Sequence, residues 1–165
     1  MSDETLDMDK RYLLLIEALD GTTRDLMRLV KPLNETTARL HPASEWSIAV
    51  IIAHLIYIEP LFLARLKRIV EIDNPHEPFI NPDEAEHVAT AEKHTIAELI
   101  EAFKVTRTTT TSFLAGLTQP QWLRTCTHDT FGITRLRKQV ELLIGHDIEH
   151  LAQMVNVREW LEKQT

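Results

Sequence analysis

The chain has little of what β-rich and disulfide-stabilised proteins depend on. Its 165 residues include only four glycines, seven prolines and 6% aromatic residues, and Cys126 is the single cysteine. With so few glycines and little alternation of valine, isoleucine and threonine, the sequence offers little from which to build β-hairpins. A lone cysteine cannot form an internal disulfide. We assign Cys126 no role, because a neighbouring His128 does not by itself make a catalytic pair.

Other absences narrow the function. The formal net charge is −7, and no cluster of Lys and Arg interleaves with aromatic residues, so the electrostatic footprint of nucleic-acid binding is missing. The segment "MSDETLDMDK" has no basic region followed by an apolar stretch. The longest apolar run, residues 48–64, contains His54, Glu59 and Pro60 and falls short of the roughly 20 apolar residues of a membrane span. We expect a cytoplasmic protein with neither nucleic acid nor membrane as partner.

What the sequence does have is helical periodicity. Apolar residues recur at spacings of three and four over residues 9–30, 47–72, 95–116 and 135–162. Ser47 fits the N-cap of the second segment, Thr95 and Glu98 form a capping box for the third, and Thr134 is the expected N-cap of the last. The links "EIDNPHEPFINPDEAEHVATAEKH" and "LTQPQWLRTCTHDTFGI" are predicted to be surface connections, the first with at most one helical turn.

These patterns predict one all-α domain spanning residues 1–165. Its expected architecture is a four-helix bundle with long connections between helices 2 and 3 and between helices 3 and 4. The cores of such bundles accept cofactors and metals between facing helices. The polar residues on the apolar faces are therefore the candidates for function.

Three histidines fall on apolar faces of two predicted helices. The stretch "GHDIEHLAQM" sets His146 and His150 four residues apart on one face, and His54 lies in "SIAVIIAHLIYIE". Each alone is more often a satisfied core or rim residue. A buried imidazole without a partner is costly, so three facing one interior are expected to share a ligand. Three nitrogens without a fourth protein ligand suit zinc, nickel or iron. The other histidines lie in links or caps and are expected to be solvated: His41, His76, His87, His94 and His128.

Polar residues beside this pair are further candidates. Asp147 falls on the apolar face, where its carboxylate either accepts a ring N–H from a ligating histidine or a hydrogen bond from another helix. Glu149 is a candidate base at the rim, and Gln153 is placed to line the cavity. "HDIEH" also satisfies the H-x-x-E-H pattern of inverted zinc proteases, but the chain is far too short for such an enzyme.

Two stretches resemble a known family. "WSIAVIIAHL" at 46–55 and "GITRLRKQVELLIGHDIEHLAQM" at 132–154 are similar to the second and final helices of the DinB/YfiT superfamily of metal-binding four-helix bundles. The resemblance implies that His54, His146 and His150 hold a divalent metal and that the protein forms a homodimer. In characterised branches it implies an S-transferase or isomerase activity with a low-molecular-weight thiol such as bacillithiol or mycothiol.

The sequence leaves three functions open. The leading hypothesis is a metal-dependent enzyme whose ion binds a small thiol as thiolate and presents it to an electrophilic substrate. A variant is metal-assisted hydrolysis, in which Glu149 or Asp147 accepts the proton of water. The second is a non-catalytic, stress-related bundle whose metal only stabilises the fold or a dimer. The third is a bundle without metal, in which each histidine has a neutral partner.

Overall fold

The computed structural model describes residues 3–164, with side chains from residue 10 onward, and is dominated by four long helices. This confirms the predicted all-α class and four-helix bundle. The elements in chain order are α1 Asp3–Val30, a 3-10 turn Thr37–Arg39, α2 Ile48–Glu71, β1 His76–Glu77, α3 Glu84–Lys93, α4 Ile96–Ala115, the short α5 Gln119–Trp122, β2 Thr125–His128, β3 Gly132–Arg135 and α6 Leu136–Glu162.

The starts of two long helices follow from their capping residues, as predicted. The Ser47 hydroxyl accepts a hydrogen bond from the Val50 N–H at 3.3 Å and begins α2. At the start of α4, the Glu98 N–H donates to the Thr95 hydroxyl at 3.2 Å, and the Thr95 N–H donates to the Glu98 carboxylate at 2.8 Å. Both caps satisfy backbone N–H groups that have no partner inside the helix.

The two connections contain more structure than the sequence predicted. The first includes β1 and the ten-residue helix α3, whose N-cap is Asp83. The second folds as an antiparallel hairpin of β2 and β3, and β1 pairs parallel to β2. Gly132 adopts a positive φ of 64° at the hairpin, which glycine tolerates without steric cost. Thr134 belongs to β3, and α6 begins at Leu136, so the prediction of Thr134 as its N-cap was wrong.

Helix α2 forms the centre of the bundle. It packs against α3, α4 and α6, while α1 packs against α4 and α6. By length and composition α2 could cross a membrane, but 67% of its most apolar window is buried inside the protein. Its apolar character is therefore explained by its central position in the bundle.

A buried ionic network joins all four long helices. Arg107 of α4 donates to both carboxylate oxygens of Glu59 on α2, at 2.9 and 2.8 Å, and lies 2.7 Å from the Asp147 carboxylate on α6. From α1, Thr22 donates to Asp147 at 2.7 Å, and the Leu19 carbonyl accepts from Arg107 at 2.9 Å. Burial raises the pKa of Glu59, although Arg107 opposes the shift. One guanidinium thus serves two buried carboxyl groups.

Candidate metal centre

Helices α2 and α6 bring the three predicted histidines together. One possible ligand atom of each of His54, His146 and His150 lies within 4.8 Å of the others. The Nε2 atoms of His54 and His146 are 2.9 Å apart, and the three ring centroids are separated by 4.5 to 5.0 Å. The i, i+4 spacing puts the two α6 rings on adjacent turns of one face, opposite the α2 ring.

Gln153 orients one of these rings from outside the triad. The His150 Nδ1 lies 3.0 Å from the Gln153 side-chain oxygen, an acceptor, so Nδ1 carries the proton and Nε2 keeps its lone pair. The Gln153 amide in turn donates to the Glu45 carboxylate at 3.3 Å. Gln153 therefore fixes the tautomer that a metal needs, as residues behind ligating histidines commonly do.

The electrostatics of the triad favour neutral imidazoles. Burial, together with the neighbouring histidines, lowers the pKa of His54 to about 3. Burial and His150 lower the pKa of His146 to about 4, and burial also lowers the pKa of His150. Metal binding requires the neutral ring, so no proton has to be displaced at neutral pH.

The donor set fits a divalent metal. Three imidazole nitrogens suit zinc, nickel or iron, and no further His, Cys, Asp or Glu of the described residues joins the group. In the same part of the chain, the buried Nδ1 atoms of His54 and His146 have no hydrogen-bond partner. The Nε2 atoms of the same two rings face each other at 2.9 Å, which leaves them as the nitrogens that could bind an ion.

Two aromatic rings enclose the triad. Trp46 stacks on His150 with an interplanar angle of 3° and a centroid distance of 6.1 Å, and its Nε1 donates to Glu84 of α3 at 2.7 Å. His87 of α3 lies 4.7 Å from His54 by ring centroids and is only 1% exposed. The prediction that His87 is solvated was wrong, because the link around it folds as α3 and docks on α2.

A cavity of about 560 Å³ opens from the triad. Two groups of polar residues line it. Trp46 and the three histidines form the first group, and Arg65 and His128 form the second. Glu149 lines the same cavity and is exposed at its rim. The walls between are mainly apolar: Ile58, Phe62, Phe79, Ile80, Phe131 and Leu142. A substrate with an apolar body fits such walls.

Comparison with known proteins shows the family and the fold of the chain. The family model of the DinB superfamily matches residues 18–154. The chain belongs to the DinB superfamily. Among solved structures, this DinB chain matches YfiT from Bacillus subtilis, described as a probable metal-dependent hydrolase with an unusual four-helix bundle topology, with a TM-score of 0.77 and 19% identity over 98% of this chain and 90% of that one. No curated protein matches the chain.

Other predicted residues of this DinB chain lie away from the triad. Asp147 does not line the cavity, because its carboxylate points into the network with Arg107 and Thr22. The hydrogen bond from Thr22 of α1 is the contact from another helix that was one of the two expectations for Asp147. Cys126 is fully buried against the Thr134 hydroxyl at 3.4 Å. His128 is 4% exposed instead of solvated, because β2 directs it inward.

Proposed function

We propose that the protein is a metal-dependent enzyme that binds a low-molecular-weight thiol and joins its sulfur to the carbon of an electrophilic substrate, from which a leaving group departs. One observation carries the proposal: three neutral imidazole nitrogens converge within 4.8 Å of one another at the end of a largely apolar cavity. Three protein ligands leave room for a further one, which is the arrangement of catalytic rather than structural sites.

His54, His146 and His150 would hold the ion, and its Lewis acidity would favour a thiolate over a thiol at neutral pH. His54, His146 and His150 contribute no negative charge, so they do not weaken this attraction for an anion. The apolar walls exclude water from the nucleophile. Glu149 lies at the rim, where its carboxylate can accept the proton that the thiol releases.

Glu149 also favours a second candidate function, metal-assisted hydrolysis. A carboxylate that lines the cavity of the triad can accept a proton from water as well as from a thiol. The similarity to YfiT, described as a probable metal-dependent hydrolase, supports the same candidate. The two functions differ in the nucleophile, and an experiment can separate them on that basis.

The first experiment measures metal content by mass spectrometry. We expect about one zinc, nickel or iron per chain in the wild type. The ion should be lost in His54→Ala and in the His146→Ala/His150→Ala double variant. His94→Ala is the matched control, because this histidine is exposed and does not belong to the triad. An absence of bound metal even after reconstitution with each ion would refute the proposal.

The second experiment identifies the nucleophile. In cobalt-substituted protein, a bound thiolate produces a sulfur-to-cobalt charge-transfer absorption, and the protein should consume thiol with 1-chloro-2,4-dinitrobenzene or a related electrophile. Ester hydrolysis that is lost in Glu149→Gln, without any thiol signal, would favour the hydrolase. If the metal-loaded protein neither binds thiols nor turns over any electrophile or ester, while chelation only lowers its melting temperature, the non-catalytic function is correct.

We also propose that the protein is a cytoplasmic homodimer. Helices α1 and α6 pack on each other, and both carry exposed apolar side chains, including Leu14 and Ile148. Such side chains on neighbouring helices support an interface with a second copy. Sedimentation analysis of the purified protein tests the dimer, and a monomer at all concentrations would contradict it.

A further inference from the structure

The cavity has a polar group at a distance from the triad along α2. His54, Ile58, Phe62 and Arg65 follow one another at spacings of four, four and three residues, so they lie on one face of the helix. Arg65 follows His54 by eleven positions, which corresponds to a rise of about 16.5 Å at 1.5 Å per residue. The two apolar residues lie between, so the cavity offers an apolar path between two polar ends.

Arg65 has hydrogen-bonding capacity left. Its side chain is 3% exposed, and its Nη1 donates to Gln139 at 3.1 Å and its Nη2 to the Pro78 carbonyl. Its Nε lies 3.5 Å from the Glu77 carboxylate and makes no hydrogen bond among the described residues. A guanidinium has five N–H groups. Even with Nε counted as used, one N–H on Nη1 and one on Nη2 have no partner in the described part of the chain.

The positive charge of Arg65 is only partly compensated. Its neighbouring carboxylate, Glu77, is fully buried and also binds Arg68, at 3.0 and 2.5 Å. One carboxylate therefore faces two guanidinium groups. Burial lowers the pKa of Arg65 more than Glu77 raises it. Two carboxylates on α6 line this cavity: Glu141 pairs with Arg137 at 3.1 Å, and Glu149 lies at the rim. A buried cation in this state is stabilised by an additional anion.

His128 offers a second donor in the same cavity. Its Nδ1 accepts a hydrogen bond from the Thr130 N–H at 3.1 Å, so the proton of the neutral ring is on Nε2. The ring is held in the β2–β3 hairpin and lies 5.1 Å from the Phe131 ring by centroids. Arg65 and His128 thus present N–H donors, whereas the triad presents lone pairs.

We propose that Arg65 and His128 bind the carboxylate of an elongated, apolar substrate whose other end reaches the metal centre. The proposal rests on the proposed function for that reacting end. A carboxylate fits because it carries one negative charge and two coplanar oxygens, which match the fork of a guanidinium. The substrate class is therefore a monocarboxylate with an extended hydrocarbon body.

The test uses compounds that carry both ends. The probes are 8-mercaptooctanoate and its neutral counterpart 8-mercaptooctan-1-ol, titrated calorimetrically into cobalt-reconstituted protein. We expect the acid to bind roughly 10- to 100-fold more tightly, the range for a hydrogen bond to a charged group. Arg65→Gln should abolish this preference. Lys138→Gln is the matched control, since it removes a half-buried cation whose Nζ lies 5.7 Å from the Phe131 ring, without removing a residue that lines the cavity.

Several results would overturn the proposal. Equal affinities of the wild-type protein for the acid and the alcohol would overturn it. This result needs no variant, so the proposal can be tested even if Arg65→Gln fails to fold. An acid preference that survives in a folded Arg65→Gln protein would mean that the carboxylate binds elsewhere, such as at the metal. If Lys138→Gln lost the preference for the acid to the same extent as Arg65→Gln, general charge attraction, rather than a specific contact, would cause the preference.

The two proposals fail in different ways. If neither thiol produces the charge-transfer absorption, but octanoate binds metal-free protein more tightly than octanol and only when Arg65 is present, thiol binding is wrong and the carboxylate site is supported. If the absorption appears with both thiols at equal affinity, the thiol function is supported and the carboxylate site is wrong.

Discussion

Replacement of Arg107 by methionine should destabilise the protein severely. The guanidinium is 2% exposed and contacts Glu59 on α2, Asp147 on α6 and the Leu19 carbonyl on α1. Arg107→Met removes the only cation of this network among the described residues and leaves two carboxyl groups buried without it. Removal of one partner from a buried ion pair costs about 3–5 kcal/mol, and here two carboxyl groups lose the same partner.

The expected loss is a large part of the total stability. Domains are stable by roughly 5–15 kcal/mol, and for a chain of this size each kcal/mol shifts the melting temperature by about 2–4 °C. Arg107→Met should therefore lower the melting temperature by roughly 6–20 °C. Urea unfolding followed by circular dichroism measures the free energy of unfolding, and an unchanged m-value shows that the comparison is valid.

Arg28→Met is the matched control. Arg28 also pairs with an aspartate, Asp25, at 2.9 Å, but the side chain is 77% exposed, and such surface pairs contribute roughly 0–1 kcal/mol. If Arg107→Met cost no more than Arg28→Met at the same m-value, the network would be hydrated and our account of it would be wrong.

Other predictions concern the triad and its surroundings. In metal-free protein, the folded-state pKa values of His54 and His146, about 3 and about 4, lie below the unfolded value of 6.5. The contribution of these two rings to stability is therefore complete above pH 6.5 and falls on acidification, by about 2.7 kcal/mol per pH unit near pH 5, since the two rings bind two more protons in the unfolded chain; a flat urea midpoint between pH 7 and 5 would contradict this. Gln153→Ala should weaken metal affinity about 10- to 100-fold in a chelator competition while leaving the fold intact, because the tautomer of His150 is no longer fixed; unchanged affinity would show that Gln153 has no such role. His87→Leu should be neutral or stabilising in thermal unfolding, because it removes two buried nitrogens without partners among the described residues; a marked loss would indicate a bound partner such as water.

The four long helices and the inward direction of the three histidines were predictable because each depends on local sequence. Amphipathic periodicity defines a long helix, and a histidine on its apolar face is expected to point into the protein interior. The short elements were not predictable, because they depend on contacts between distant segments. Strand β1 pairs with β2 across 51 residues, His76 facing Thr127, and neither strand has an alternating pattern long enough to recognise.

His87 and His128 illustrate the same limit. Both lie in segments rich in turn residues, where a histidine is usually solvated, and both are buried by the docking of α3 and of the hairpin. For His87, the spacing of four to the buried Ala91, after the Asp83 cap, was a weak signal of an inward-facing helix. For His128, the sequence carries no comparable signal, because the strand pairing that directs it inward is long-range.

The distance along the chain between His54 and His146 has a consequence for metal exchange. These two histidines are 92 residues apart and meet only when α2 and α6 pack together. An unfolded chain would have to close a long loop to present the same three nitrogens, so an ion has little affinity for it. A bound ion would then stabilise the native state alone. Each tenfold rise in the concentration of free ion above its dissociation constant would add about 1.4 kcal/mol to the free energy of unfolding. A cell that withdraws the ion would shorten the lifetime of this protein without altering a single residue.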